Sequence, residues 1–310
     1  MPFPVSIGMP VYNGEKYLKD ALESMVNQTF GDFELIISDN ASTDSTEEIC
    51  REFAARDDRI RYYRQQTNRG AAWNFNNVFK LSAGKFFKWS CHDDMYEPTL
   101  LERSFERLKS APFDVVLCYA KTRLIDNEGC VVADYEDNAE VQQNEPSRRL
   151  RHLLKVLNLC NITFGLMRAD AVQTTRLLGN YNSSDHVFLA ELALRGKFVE
   201  IPEPLFLRRR HSESSIAANV SLEKRAMWFD PANAGKTQNH FLITRLLIEH
   251  LNAVRYAPMT LTEKLRCYGI VMSHWLPKWK GMAGDCRRAA RYLVHKRLQT
   301  SRRTTDCHSH

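Results

Sequence analysis

A chain of 310 residues with 44% hydrophobic content can bury a substantial core, as one large domain or two smaller ones. Its net charge of +6 is uneven: Lys278 to Arg303 carries nine Lys or Arg residues against the single acid Asp285. Partners are therefore read from the C-terminus, and no nucleic acid is expected. The eight cysteines are scattered without a C-x-x-C pair, and the length is wrong for a disulfide scaffold, so reduced, cytosolic thiols are the expectation. Met1 to Pro10 has no basic run ahead of its apolar residues and does not read as a secretory leader. The best uncharged stretch near the C-terminus, Cys267 to Pro277, is about half the roughly 20 residues a spanning helix needs, so no transmembrane segment is expected.

In chain order, Val5 to Met9 predicts a short buried strand, and Tyr17, Leu18, Ala21, Leu22, Met25 and Val26 then share one helical face. Phe33 to Ser38 predicts a second strand, followed by a helix from Thr46 with Asp44 as N-cap and Glu47 three residues on. Ile60 to Arg64, a helix over 71–81, a strand from Lys85 to Trp89, a helix from Pro98 to Lys109 and a strand from Val115 to Tyr119 continue the alternation. Such alternation specifies βαβ units and an α/β fold with a mostly parallel sheet. Next, Thr122 to Ile125 and Val131 to Ala133 flank a hairpin-like turn, and the polar stretch from Asp134 to Glu145 predicts a flexible loop. Ser147 to Leu157 then reads as helix, Ile162 to Met167 as strand, Asp185 to Arg195 as a helix stopped by Gly196, and Phe198 to Ile201 and Leu205 to Arg209 as strands. Everything from Ser221 onward reads as helical.

Chemistry gathers at the strand ends, where open α/β sheets bind ligands. The fourth strand runs out into Cys91, His92, Asp93 and Asp94, and two adjacent carboxylates there suit Mg²⁺ or Mn²⁺ holding a diphosphate. By themselves they equally read as a solvated turn before the next helix. The first strand ends in Pro10-Val11-Tyr12-Asn13-Gly14 rather than in a glycine-rich dinucleotide turn. The second ends in Asp39, whose carboxylate can accept the imide N–H of a uracil or thymine ring while Tyr12 stacks on it; a turn aspartate is the plain alternative.

Pro10-Val11-Tyr12-Asn13, the run from Asp39 to Asp44, Asn68-Arg69-Gly70 with Asn74, and His92-Asp93-Asp94 together resemble the family 2 glycosyltransferases of the GT-A fold, in matching order and spacing. The resemblance implies an inverting transferase that uses a nucleotide diphosphate sugar and Mg²⁺ or Mn²⁺. It implies that Pro10, Val11, Tyr12, Asn13, Glu15, Asp39, Asn68, Gly70, Asn74 and Asp93 bind the nucleotide, and that Asp94 and Asp93 hold the metal. Ser184-Asp185-His186 matches the family's catalytic acid at a helix start, which makes Asp185 the implied general base. Arg208-Arg209-Arg210-His211 matches a late basic motif, which makes His211 a metal or diphosphate contact and Arg210 a diphosphate contact. A helix cap for Asp185 and a surface loop for His211 are the bland alternatives.

Three residues depart from the family pattern: Cys91 stands where a carboxylate usually opens the metal motif, Asn40 replaces a common second acid, and Trp73 stands where an Arg is common. A sugar-phosphate nucleotidyltransferase and a non-catalytic GT-A scaffold remain the alternative functions. The resemblance places a GT-A domain over 1–215, with a nucleotide-sugar half (1–120) and an acceptor half (121–215), ahead of a helical region over 216–310. An imide-reading Asp39 favours UDP or dTDP sugars, and the implied acceptor is a glycan or lipid-linked glycan in cell-surface polysaccharide or glycolipid synthesis. At the tail, Arg287, Arg288, Arg291, Lys296 and Arg297 accompany Ala290, Leu293, Val294 and Leu298 at helical spacing. Such a basic amphipathic helix either lies on an anionic membrane, at the inner face of the plasma membrane, or docks on the protein's own core.

Overall fold

The computed structural model describes residues 3–211 and 221–306. Strands β1 (Val5–Val11), β2 (Phe33–Asp39), β3 (Ile60–Arg64) and β4 (Phe86–Trp89) alternate with helices α1 (Leu18–Val26), α2 (Thr46–Arg56) and α3 (Ala71–Lys80). Next come β5 (Met95–Tyr96), α4 (Leu100–Ser110), β6 (Val115–Ile125), β7 (Val131–Tyr135), α5 (Pro146–Val156), β8 (Leu166–Arg168), α6 (Ala169–Gln173), α7 (Ser184–Arg195) and β9 (Lys197–Arg209). Helices α8 (Leu222–Phe229), α9 (Leu242–Tyr256), α10 (Leu261–Trp275) and α11 (Trp279–Asp306) complete the described chain.

One sheet runs β3-β2-β1-β4-β8-β6-β9-β5, with β7 beside β6. The β1, β2, β3 and β4 pairs are parallel, as is β6 with β9, whereas β8 inserts antiparallel between β4 and β6. The chain winds outward through β2 and β3, then returns to β4 on the other side of β1. That reversal is a topological switch point, and it opens a crevice beyond the strand ends.

Every residue of β1 and β2 is buried, because helices cover both sheet faces. On one face Val5, Ile7, Met9, Leu35 and Ile37 pack against α1 and α4. On the other, Ile36, Val78, Phe87 and Trp89 join Leu150, Phe188, Leu192, Val254 and Val271, so α9 and α10 share the core of the sheet domain. Each fully buried Leu, Ile or Phe there contributes about 1.5–3 kcal/mol. Pro10 is tolerated inside β1 for a local reason. The Gly8 carbonyl accepts from Ser90 N on the β4 side, and Pro10, two residues on, faces the same side beyond the end of β4.

Several boundaries differ from the sequence reading. β6 is one strand through Ile125, and β9 is one strand despite Pro202 and Pro204, which sit at a register shift against β6. The span expected as a strand from Ile162 to Met167 is a 3₁₀ turn (Asn161–Phe164) plus the three residues of β8. Ser45, not Asp44, is the N-cap of α2. Asp44 accepts from Thr46 N at 3.1 Å, and Glu47 pairs with Arg51 and Arg64 instead of closing a capping box. After Ser221, 3₁₀ turns at Pro231–Asn233 and Thr237–His240 interrupt the helices. The division expected between 215 and 216 lies outside the described residues.

The polar stretch after β7 is pinned. Ala139 and Val141 are fully buried, and Val141 bridges Phe198. Asp137 is buried beside them, accepting from Thr122 Oγ1 at 3.0 Å and Asn161 Nδ2 at 3.4 Å, and burial pushes its pKa up to about 6. Proton binding at Asp137 therefore favours the folded state. That contribution is complete below the unfolded value of 3.8 and is lost as pH rises through about 6. Asp137→Asn is expected to raise the melting temperature over the parent at about pH 8 and to lose that advantage by about pH 4, as paired melting curves will report.

Candidate active site

The C-terminal ends of β1, β2 and β4 meet at the switch point, and their loops brace one another. Asn13, at φ 50°, accepts from Thr43 N at 2.9 Å and donates its own N–H to Ser42 Oγ. Glu15 accepts from Ser45 N at 3.0 Å. Asn74 is buried and donates to the carbonyls of Ser38 (2.8 Å) and Val11 (3.3 Å), stitching the ends of the first two strands together. These three side chains shape the loops, and Tyr12 is the exposed ring of the group.

Asp39 is fully buried and accepts four hydrogen bonds. Ser42 N (2.8 Å) and Ser42 Oγ (2.6 Å) reach one oxygen, and Tyr62 Oη (2.7 Å) and Arg64 (3.1 Å) reach the other. It ties down the turn from Asp39 to Ser42, so an imide N–H reaching this carboxylate has to replace one of those donors. Asn40 explains its own departure from the family pattern. Its Nδ2 donates to Asn68 Oδ1 and to the Gly70 carbonyl while its Oδ1 accepts from Arg69 N, a set that needs an amide and that a carboxylate cannot supply. Gly70 sits at φ 85°, and a Cβ there would lie 2.4 Å from the Phe229 carbonyl, so this loop is clasped against the end of α8. Trp73 receives the Arg69 guanidinium on its ring face at 4.0 Å.

Beyond β4, one donor atom each from Cys91, Asp93 and Asp94 lies within 4.8 Å of the others. His211, just past β9, reaches Asp93 Oδ2 with Nε2 at 3.0 Å and packs edge-on against Tyr17 at 4.7 Å; its Nδ1 is buried with no partner among the described residues. Burial raises the proton affinity of Asp93, but the His211 hydrogen bond and the His92 and His211 charges more than offset it and hold this carboxyl below its ordinary value. Asp94 goes the other way: burial and the Asp93 charge push it up to about 7. Burial and both carboxylates push the Cys91 thiol well above its usual range. Two carboxylates and a nearby thiol, with His211 touching one of the carboxylates, fit a divalent cation.

The strand that delivers His211 does more than sequence reading assigned to it. Arg209 is 3% exposed. Its backbone N–H donates to Asp94 at 2.9 Å, and its guanidinium donates to the carbonyls of Asp93, Asp126 and Asn127 and to Asp20. Strand alternation across Arg208, Arg209 and Arg210 is the signal that could have singled out the middle residue as inward-facing. Arg210 is exposed, and its backbone N–H donates to the Ile125 carbonyl. Lys88 was also missed: its buried ammonium donates to the Phe164 carbonyl at 2.5 Å and sits 4.3 Å above the Tyr96 ring, and burial pulls its pKa down to about 7.

Asp185 lies in the first turn of α7, half-buried, with Oδ1 accepting from His186 N at 3.0 Å. The N-cap position is Ser183, so Asp185 is not the cap. Cys160, Asp185 and His186 form a second group of donors within 4.8 Å. Arg208 connects the two regions. Its guanidinium lowers the proton affinities of Cys91 and Asp94 on one side and of Cys160 and Asp137 on the other, while donating to the Leu159 carbonyl.

The chain matches the sequence profile of Glycosyl transferase family 2 over residues 6–173. It is 25% identical over 269 residues to the chondroitin synthase of Escherichia coli, covering 85% of this chain and 36% of that protein. It is 31% identical over 113 residues to the glycosyltransferase GlyG of Streptococcus pneumoniae, covering 36% of this chain and 38% of that one. The chain thus spans little more than a third of either relative. Among solved structures it resembles S. aureus TarS 1-349 in complex with UDP-GlcNAc, with a TM-score of 0.63 at 18% identity over 88% of this chain and 72% of that one. It also resembles the mannosyltransferase PcManGT from Pyrobaculum calidifontis in complex with GDP-Man and Mn²⁺, with a TM-score of 0.53 at 14% identity over 96% and 87%. With the profile matching more than half of its residues and the sheet wound as in these neighbours, the chain belongs to glycosyl transferase family 2 and has the GT-A fold.

Proposed function

We propose that this protein is an inverting glycosyltransferase that moves a sugar from a UDP- or dTDP-sugar to a hydroxyl of a glycan or lipid-linked glycan, in cell-surface polysaccharide or glycolipid synthesis. One observation carries the reading: His211 meets Asp93 beyond the ends of β1 and β4, beside the donor group of Cys91, Asp93 and Asp94. The nucleotide lies over Pro10, Val11 and Tyr12, between the braced loops of Asn13, Glu15, Asn68, Gly70 and Asn74, with Asp39 beneath the base. Asp93, Asp94 and His211 would hold a Mg²⁺ or Mn²⁺ ion, which supplies charge neutralisation of the departing diphosphate. Arg210 and His211 stand where that diphosphate needs cationic contacts. Asp185 takes the proton of the acceptor hydroxyl as it attacks from the face opposite the diphosphate, which inverts the anomeric carbon. GT-A chemistry is assigned to 1–215, with the donor half over 1–120 and the acceptor half over 121–215. The location is cytoplasmic and peripheral to the membrane.

A thermal-shift panel of nucleotide sugars with Mn²⁺ tests the donor. A ligand at 100 times its dissociation constant adds about 2.7 kcal/mol, which is a visible shift. UDP- or dTDP-sugars are expected to stabilise the protein and GDP-sugars to leave it unchanged. Stabilisation by GDP-sugars alone overturns the base reading through Asp39. Pyrophosphate release from a nucleoside triphosphate plus a sugar phosphate replaces the reading with nucleotidyl transfer, and stabilisation by no nucleotide favours a non-catalytic scaffold.

A further inference from the structure

The C-terminal helices leave an apolar stripe uncovered. Leu261, Leu265, Met272, Leu276 and Trp279 recur at the three-, four- and seven-residue spacings of one helical face, and all are exposed, Leu261 by 73% and Trp279 by 59%. Leu276 and Trp279 keep helical backbone angles, so α10, the short turn at Leu276–Lys278 and α11 continue as one rod. Farther along that rod, Asp285 and Ala289 face the protein. Asp285 is fully buried and accepts from Thr244 N at 2.8 Å and Thr244 Oγ1 at 3.0 Å. Leu293 and Val294 are left outward, extending the stripe. The tail is therefore docked on the core by one face and apolar on another. The side chains of Lys296, Arg297 and Leu298 lie outside the described residues.

What this stripe meets is indicated by its flanks. Lys280, Arg287 and Arg291 are exposed along the rod, and Asp285, the one acid between Lys278 and Arg303, is turned inward and consumed. An apolar stripe edged by Lys and Arg, with an indole at its middle, suits the headgroup layer of an anionic bilayer. Among the described residues no helix is long and apolar enough to cross a membrane, so the rod lies on the surface.

We propose that the outward face of the rod from Leu261 to Val294 is a membrane-docking surface for anionic lipid, with Leu265, Leu276 and Trp279 entering the headgroup layer. This deepens the peripheral-membrane part of the reading above and does not depend on transfer chemistry, so its test needs no substrate. The full chain is sedimented with phosphatidylcholine vesicles, with and without phosphatidylserine, at low and high salt, and its mass in solution is measured by light scattering. Expected are binding to the anionic vesicles only, weakening with salt, and a fall in partition of at least about tenfold for the double variant Leu265→Glu/Trp279→Glu with its melting temperature kept. Arg287→Glu/Arg291→Glu should weaken binding as well. Failure of the parent to bind anionic vesicles at low salt overturns the proposal. So does unchanged binding of the Leu265→Glu/Trp279→Glu variant, which would leave only charge adsorption. A dimer in solution that the same double variant dissociates assigns the stripe to a second copy of the chain instead.

Discussion

Asp185→Asn is expected to lower sugar transfer by about 10²–10⁴-fold while leaving donor binding unchanged. The amide keeps the shape of the side chain and its acceptor oxygen for His186 N, but it cannot take a proton from the acceptor hydroxyl. The other acid of α7 is not placed to substitute. Glu191, farther along α7, is 2% exposed and tied to Arg176 through its backbone N–H at 2.8 Å and its Nε at 2.5 Å. Single-turnover transfer and calorimetric donor binding, measured side by side, separate the two effects. Transfer at the parental rate would remove Asp185 from the base role, and loss of donor binding would make it part of the donor pocket.

Asp94→Ala is expected to remove the metal-dependent part of nucleotide binding. Titration with UDP in Mn²⁺ and in chelator should differ strongly for the parent and converge for the variant. The cost to the fold is contained, because Asp94 lies on the loop beyond β4 and its main protein bond is from the Arg209 backbone N–H at 2.9 Å. Leaving that buried donor unpartnered costs about 1–3 kcal/mol, which lowers the melting temperature without unfolding the protein. Unchanged UDP affinity in Mn²⁺ would sink the assignment of the metal to this loop.

How much was legible differs between the sheet and the site. The strands β1, β2, β3 and β4 could be read because each is a short apolar run closed by turn residues and alternating with amphipathic helices, a local pattern. The joining of β6 and β9 into long strands was not, since it rests on pairing between distant segments that tolerates Pro202 and Pro204 at a register shift. At the candidate site, Asp93, Asp94 and His211 were expected from their motifs, and the fold brings Asp93 and His211 into contact across the molecule. What the residues do to one another was hidden. Asn13, Glu15 and Asn74 were expected to bind nucleotide, and sequence alone could not show that their side chains also brace loops and strand ends through bonds to distant residues. Arg209 carried only the strand alternation and Lys88 no signal of its own, because a buried cation is recognised by the carbonyls and rings that surround it.

The alternation along β9 sets the parity of the site. Arg209 sends its guanidinium to the Asp93, Asp126 and Asn127 carbonyls, and its neighbour Arg208 sends its own to the Leu159 carbonyl and Asn161. One strand therefore indexes the loop beyond β4 and the approach to α7 against each other. Inserting or deleting a single residue between Lys197 and Arg208 would exchange the two guanidiniums between faces and scramble both ends at once, whereas a two-residue change would keep their sides and shift only their reach. Variation in what such an enzyme accepts is thereby channelled away from β9 and into the connections around it, where length can change without altering that parity.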